Sequence, residues 1–66
     1  MLSGNIKNLR KKKGLSQDKL AKIADVPLTT LVKIETGVND NPTIKTLKKI
    51  ANALKVNIDD LLGNTK

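Results

Sequence analysis

An all-α fold, a compact bundle of five short helices around one aliphatic core, is what the sequence predicts. Three observations carry that expectation. Apolar residues recur at three- and four-residue spacing through much of the chain. Residues able to cap a helix stand just ahead of those runs, at Ser16, Thr43 and Asn57. The runs are parted by Gly14, by Asp25-Val26-Pro27 and by a turn-forming loop from Gly37 to Pro42. A chain of 66 residues is expected to be a single domain spanning 1–66, with a core over about 5–62 and a frayed tail at 63–66. It contains no Phe, Tyr or Trp, so its stability must come from aliphatic side chains.

The first helix is predicted to start at a cap on Ser3 or Asn5 and to run to about Lys13. Ile6 and Leu9 point inward and Lys7, Lys11 and Lys12 are solvated. Lys11-Lys12-Lys13 puts positive charge on the last turn, where it favours the helix dipole. These lysines could equally be solvated or touch phosphate. Gly14 ends the helix and Leu15 turns back toward the core. Ser16 caps a second helix whose apolar stripe is Leu20, Ala21 and Ala24. Pro27 cannot continue that helix and pushes Val26 toward an extended backbone. Leu31 and Ile34 are the inner side of a third helix, which Gly37 can end in a left-handed conformation. Thr43 caps a fourth helix, with Ile44, Leu47, Ile50, Ala51 and Leu54 inward and Lys45, Lys48, Lys49 and Asn52 outward. Asn57 caps a last short helix, where Asp59 and Asp60 suit the first turn and Ile58, Leu61 and Leu62 are apolar.

Composition narrows the function. Thirteen Lys and Arg against six Asp and Glu give a formal net charge of +7, a field suited to a polyanion. A membrane surface is also anionic, but a membrane-binding helix gathers bulky apolar and aromatic residues on one face. Here aromatics are absent and each apolar stripe is needed inside, so no membrane contact is expected. No apolar run approaches the roughly 18 residues of a membrane span. With no Cys and no His, disulfides are excluded and neither a metal site nor a cofactor is expected. The same inventory argues against an enzyme: no His, Cys or Tyr is present, and Asp59 and Asp60 are neighbours at a helix start rather than a converging pair.

Helix, tight turn, helix over Ser16–Glu35 is the layout of a helix-turn-helix reader of DNA. The segment resembles the phage-repressor and Cro type, the XRE family. The small or apolar positions match at Leu20, Ala21, Ala24, Val26, Leu31 and Ile34. The resemblance continues through the Leu15-Ser16-Gln17 opening, the Ile34-Glu35-Thr36-Gly37 segment and the tail PTIKTLKKIANALKVNIDDLL, covering about residues 5–62. It implies a lambda-repressor-like five-helix bundle, with the helix-turn-helix at helices two and three. It also implies a partly buried ion pair between Arg10 and Glu35. Arg10 lies on the Ile6–Leu9 side of its helix, and its planar fork suits a carboxylate better than an ammonium does.

The third helix, over residues 28–36, would enter the major groove, where an α-helix fits and its exposed side chains reach base edges. Inward Leu31 and Ile34 leave Leu28, Thr29, Thr30 and Lys33 to meet bases, with Val32 and Thr36 flanking. The threonines could bond base edges or phosphates, Leu28 could touch a thymine methyl, and Lys33 could reach guanine or phosphate. Ser16 and Gln17 open the second helix, whose N-terminal amides attract a phosphate. Thr36, Asn39, Asn41 and Thr43 are further backbone candidates. Asp25 stands where the family has a left-handed glycine, and strain is expected there. Asp40 stands where relatives carry basic residues, and its carboxylate would be repelled by DNA.

One such module buries too little surface for tight specific binding, so a homodimer on a palindromic operator is expected, formed weakly alone and firmly on DNA. It would set two helices about 34 Å apart. The resemblance places the interface at Val56, Ile58, Leu61 and Leu62, which compete between core and interface, Leu61 going to the core and Ile58 or Leu62 shared. The expected function is a sequence-specific, double-stranded-DNA-binding transcriptional regulator, a repressor since no activation segment accompanies it. The location expected is the cytoplasm of a prokaryote, or of the host of a phage, on the nucleoid. No small-molecule ligand is evident. The competing expectation is a protein-interaction adaptor that keeps the fold and uses Ile23, Leu28 and Val32 as a partner surface.

Overall fold

The computed structural model describes residues 2–39 and 41–63. Five helices follow in order: α1 (Leu2–Lys12), α2 (Gln17–Ala24), α3 (Leu28–Thr36), α4 (Ile44–Leu54) and α5 (Ile58–Leu62). The expectations for Asp40 and for the tail beyond Gly63 fall outside the described residues.

The corners are built as the local chemistry dictates. Ser16 Oγ accepts the Lys19 amide at 3.0 Å and starts α2, and Thr43 Oγ1 accepts the Thr46 amide at 3.2 Å and starts α4. Both helices close alike. The residue after the last turn is left-handed, Asp25 at φ 59° and Lys55 at φ 59°. The following amide reaches back in each case, Val26 N–H to Ala21 O and Val56 N–H to Ala51 O, both at 3.0 Å. That pattern satisfies carbonyls a helix end would otherwise leave unpaired. The position of Asp25 is the left-handed one foreseen for it; Lys55 carries no sequence signal for its conformation. Gly37, at φ 83°, ends α3.

The start of α1 departs from expectation. It begins at Leu2, so neither Ser3 nor Asn5 stands at the cap. Asn5 lies within the helix, and its Nδ2 donates to Leu61 O at 3.0 Å, tying α1 to α5. The helix ends at Lys12, one residue early, where Gly14 turns left-handed at φ 70°. The N-cap of α5 is Asn57, whose amide donates to Asp60 Oδ2 at 3.1 Å.

The inner faces meet in one core. Ile6 of α1, Leu20 of α2, Leu31 and Ile34 of α3, Ile50 and Leu54 of α4 and Leu61 of α5 are fully enclosed. Leu9, Leu15, Val26, Val56 and Ile58 pack around them half-buried. Helix α2 lies on α3 and α4, α1 lies on α3 and α5, and α4 meets α5. Ile44, expected inside, is 59% exposed. It occupies the opening turn of α4 at the edge of the Leu47–Ile50–Leu54 face, off its centre line. No helix among the described residues is long and apolar enough to cross a membrane.

Candidate nucleic-acid interface

The candidate surface is set by what α3 must bury. Leu31, Ile34 and Glu35 face the interior. At about 100° per residue, the positions opposite that buried strip are Thr29, Lys33 and Thr36. All three are exposed. Their side chains thus share one free face. Leu28, first in the helix and one turn before Leu31, is 41% exposed at the edge of the buried strip. Thr30 and Val32 lie on the two flanks and are half-buried. Thr30 thus belongs to the edge of the face, about a quarter-turn from Leu31. Thr36 Oγ1 donates to Lys33 O at 3.3 Å, which fastens the last turn.

Helix α2 supplies the second component. Its first amides, at Gln17 and Asp18, have no partner within the helix because no turn precedes them. The Lys19 amide is taken by Ser16. Positive dipole charge gathers at that end. The Gln17 side chain is already engaged, since its Nε2 donates to Glu35 Oε1 at 3.2 Å.

Glu35 holds the arrangement together. Arg10 Nε donates to Glu35 Oε2 at 2.7 Å and Arg10 Nη2 to Glu35 Oε1 at 3.0 Å, a forked contact. Arg10 Nη1 donates to Leu15 O at 2.7 Å. The Arg10 and Glu35 side chains are 10% and 1% exposed. One carboxylate near the end of α3 thereby fixes the end of α1 and the first residue of α2. The angle between the two helices of the motif is set from inside. The Gln17 contribution had no sequence signal, because nothing in the order of residues brings position 17 to position 35.

The backbone candidates after α3 are mostly occupied with local structure. The Asn39 amide donates to Lys33 O at 3.0 Å, and Asn39 Oδ1 accepts the Asn41 amide at 3.2 Å. The Thr43 hydroxyl accepts the Thr46 amide and donates to Thr46 Oγ1 at 3.0 Å. Asn41 keeps an exposed side chain. Of the dimer candidates, Leu61 must be withdrawn. It is wholly enclosed in the core, so no second chain can touch it without opening the fold. Val56 and Ile58 are half-buried and Leu62 is 40% exposed. Ile23, on the outer side of α2, is 52% exposed, while Val32 has little free surface to offer a partner.

Comparison with known proteins agrees with this geometry. A family model described as helix-turn-helix matches residues 6–61. The chain is 39% identical over 61 residues to the HTH-type transcriptional regulator SlrR of Bacillus subtilis (strain 168), covering 92% of this chain and 40% of that protein. It is 39% identical over 63 residues to the regulator SinR of Bacillus licheniformis, covering 96% of this chain and 57% of that protein. Among solved structures, the crystal structure of the biofilm master regulator SinR in complex with DNA superposes with a TM-score of 0.91 at 39% identity. That match covers 94% of this chain and 98% of the SinR chain. The chain spans about half the length of the curated relatives it matches. With the match running through all five helices, the chain belongs to the helix-turn-helix family.

Proposed function

We propose that this chain is a sequence-specific, double-stranded-DNA-binding module of a transcriptional regulator, acting as a repressor. The observation that carries the proposal is the free face of α3, Thr29, Lys33 and Thr36, held opposite a buried Leu31–Ile34–Glu35 strip. The likeness to the DNA-bound SinR chain supports it, as does the net charge of +7. Thr29 and Lys33 meet base edges in the major groove, and Leu28 adds apolar contact to a thymine methyl. Ser16, Gln17, Thr36 and Asn41 are assigned to the sugar–phosphate backbone, Gln17 through its amide at the dipole end of α2. Asn39 and Thr43 keep secondary places there, since their side chains already serve the chain itself.

Residues 1–66 form one domain, and its activity is binding rather than catalysis. It works in the cytoplasm on the nucleoid. Two copies pair through Val56, Ile58 and Leu62 and set two α3 helices on a palindromic site. Pairing is weak in free solution and firm on DNA.

Selection of bound duplexes from a random pool tests this directly. A two-fold consensus is expected, and Thr29→Ala or Lys33→Ala should relax it at single positions, each costing about 1–3 kcal/mol of discrimination. A flat outcome at moderate salt would instead favour an adaptor role for the exposed Ile23 and Leu28.

A further inference from the structure

The base-reading face leaves a second concentration of charge unused. Residues 41–58 hold four lysines and no acidic residue. Three of them, Lys45, Lys48 and Lys49, fall on α4, and Asn52 closes the row. At about 100° per residue these four lie within roughly 100° of arc, opposite the buried face of Leu47, Ile50 and Leu54. Lys45, Lys48 and Asn52 are exposed; Lys49 is half-buried, its Nζ donating to Asp25 O at 3.5 Å. Among the described residues the ion pairs are Arg10 with Glu35 and Lys22 with Asp18. Neither involves α4. Its inner face is taken by α2 and α5, so Lys45, Lys48 and Asn52 face outward, while Lys49 leans onto the Asp25 corner.

From this we infer that the outer face of α4 is a second, sequence-independent seat for the phosphate backbone of double-stranded DNA, separate from the duplex segment α3 reads. This inference rests on the DNA-binding proposal above. Charge complementarity selects the occupant. Lysine recognises phosphate as a point charge without reading bases. Duplex DNA offers a charge about every 1.7 Å of its axis. A row about 10 Å long on a helix rising about 1.5 Å per residue can meet several of those charges at once. The phosphates come either from the flank of the same duplex or from a second duplex.

The full chain is titrated onto a duplex about 40 base pairs long, and onto one trimmed to the selected site, across a range of salt. Each Lys engaged with phosphate contributes about 0.9 to the slope of log K against log salt. The Lys45→Gln, Lys48→Gln variant should therefore lose about 1.8 from that slope on the long duplex. Selected and scrambled sequences should show it alike, with thermal unfolding unchanged, and the arginine pair at the same positions should restore it. A control pair on α1, Lys7→Gln with Asn8→Asp, both exposed, lowers the net charge by the same amount and should leave the slope near that of the parent. Two differently labelled duplexes then separate the sources. Salt-sensitive energy transfer between them that the α4 variant abolishes assigns the face to a second duplex. A slope change confined to the long duplex without such transfer assigns it to the flank. An unchanged slope overturns the inference while leaving the α3 proposal intact, as does a control pair that matches the α4 pair. A parent chain that binds no duplex at all sinks the α3 proposal itself.

Discussion

Arg10→Met keeps most of the side-chain volume while removing the charge and every donor. Glu35 accepts from Arg10 Nε at 2.7 Å, Arg10 Nη2 at 3.0 Å and Gln17 Nε2 at 3.2 Å. The substitution leaves only the Gln17 donor on a carboxylate whose side chain is 1% exposed. It also takes from Leu15 O its donor at 2.7 Å. Stranding one member of a buried pair costs about 3–5 kcal/mol. A domain of this length holds about 3–10 kcal/mol in all, so the variant should lose half its stability or fail to fold. Adding Glu35→Leu removes the stranded carboxylate, and the double variant should recover most of the loss. Urea unfolding is followed by far-ultraviolet circular dichroism, since the chain has no Trp or Tyr to fluoresce. A single variant that loses less than about 1 kcal/mol would refute the reasoning. So would a double variant no more stable than the single one, because the two charges would then not depend on each other.

Lys55→Gly should raise stability by about 0.5–1 kcal/mol in thermal unfolding, because a side chain at φ 59° bears a left-handed penalty that glycine escapes; no gain would mean the corner is unstrained. Ser16→Ala removes the acceptor for the Lys19 amide and should cost about 1 kcal/mol, whereas Ser16→Asp should not. Leu62→Asp should leave the monomer folded while abolishing cooperative binding to a duplex carrying two half-sites. Undiminished cooperativity would move the pairing surface elsewhere.

What could be read from residue order was whatever depends on near neighbours. The caps at Ser16 and Thr43, the interruption at Asp25-Val26-Pro27 and the inward side of α4 from Leu47 to Leu54 are local, set by side-chain chemistry and helical spacing. The left-handed Asp25 followed from the family pattern. The departures lie where the outcome depends on distant packing. Asn5 looked like a cap until α5 came within reach of its amide. Ile44 kept the spacing of a core residue, yet spacing alone does not say how far round the face its neighbours extend. The half-burial of Thr30 and the full enclosure of Leu61 have related reasons. Exposure of the first depends on what covers the flank of α3, and enclosure of the second depends on the docking of α5. The free face of Thr29, Lys33 and Thr36 was legible in part, because Leu31 and Ile34 alone orient the helix. The tie from Gln17 to Glu35 was not.

That tie has a kinetic consequence. The opening turn of a helix as short as α2 (eight residues) ordinarily frays on its own. Here its first side chain is moored to an interior carboxylate, itself gripped by another helix. Deuterium uptake at the Leu20 amide, bonded to Ser16 O at 3.0 Å, should therefore track opening of the whole body rather than a terminal flicker. An approaching anion meets donors already held in place, so little ordering entropy remains to be lost when it docks.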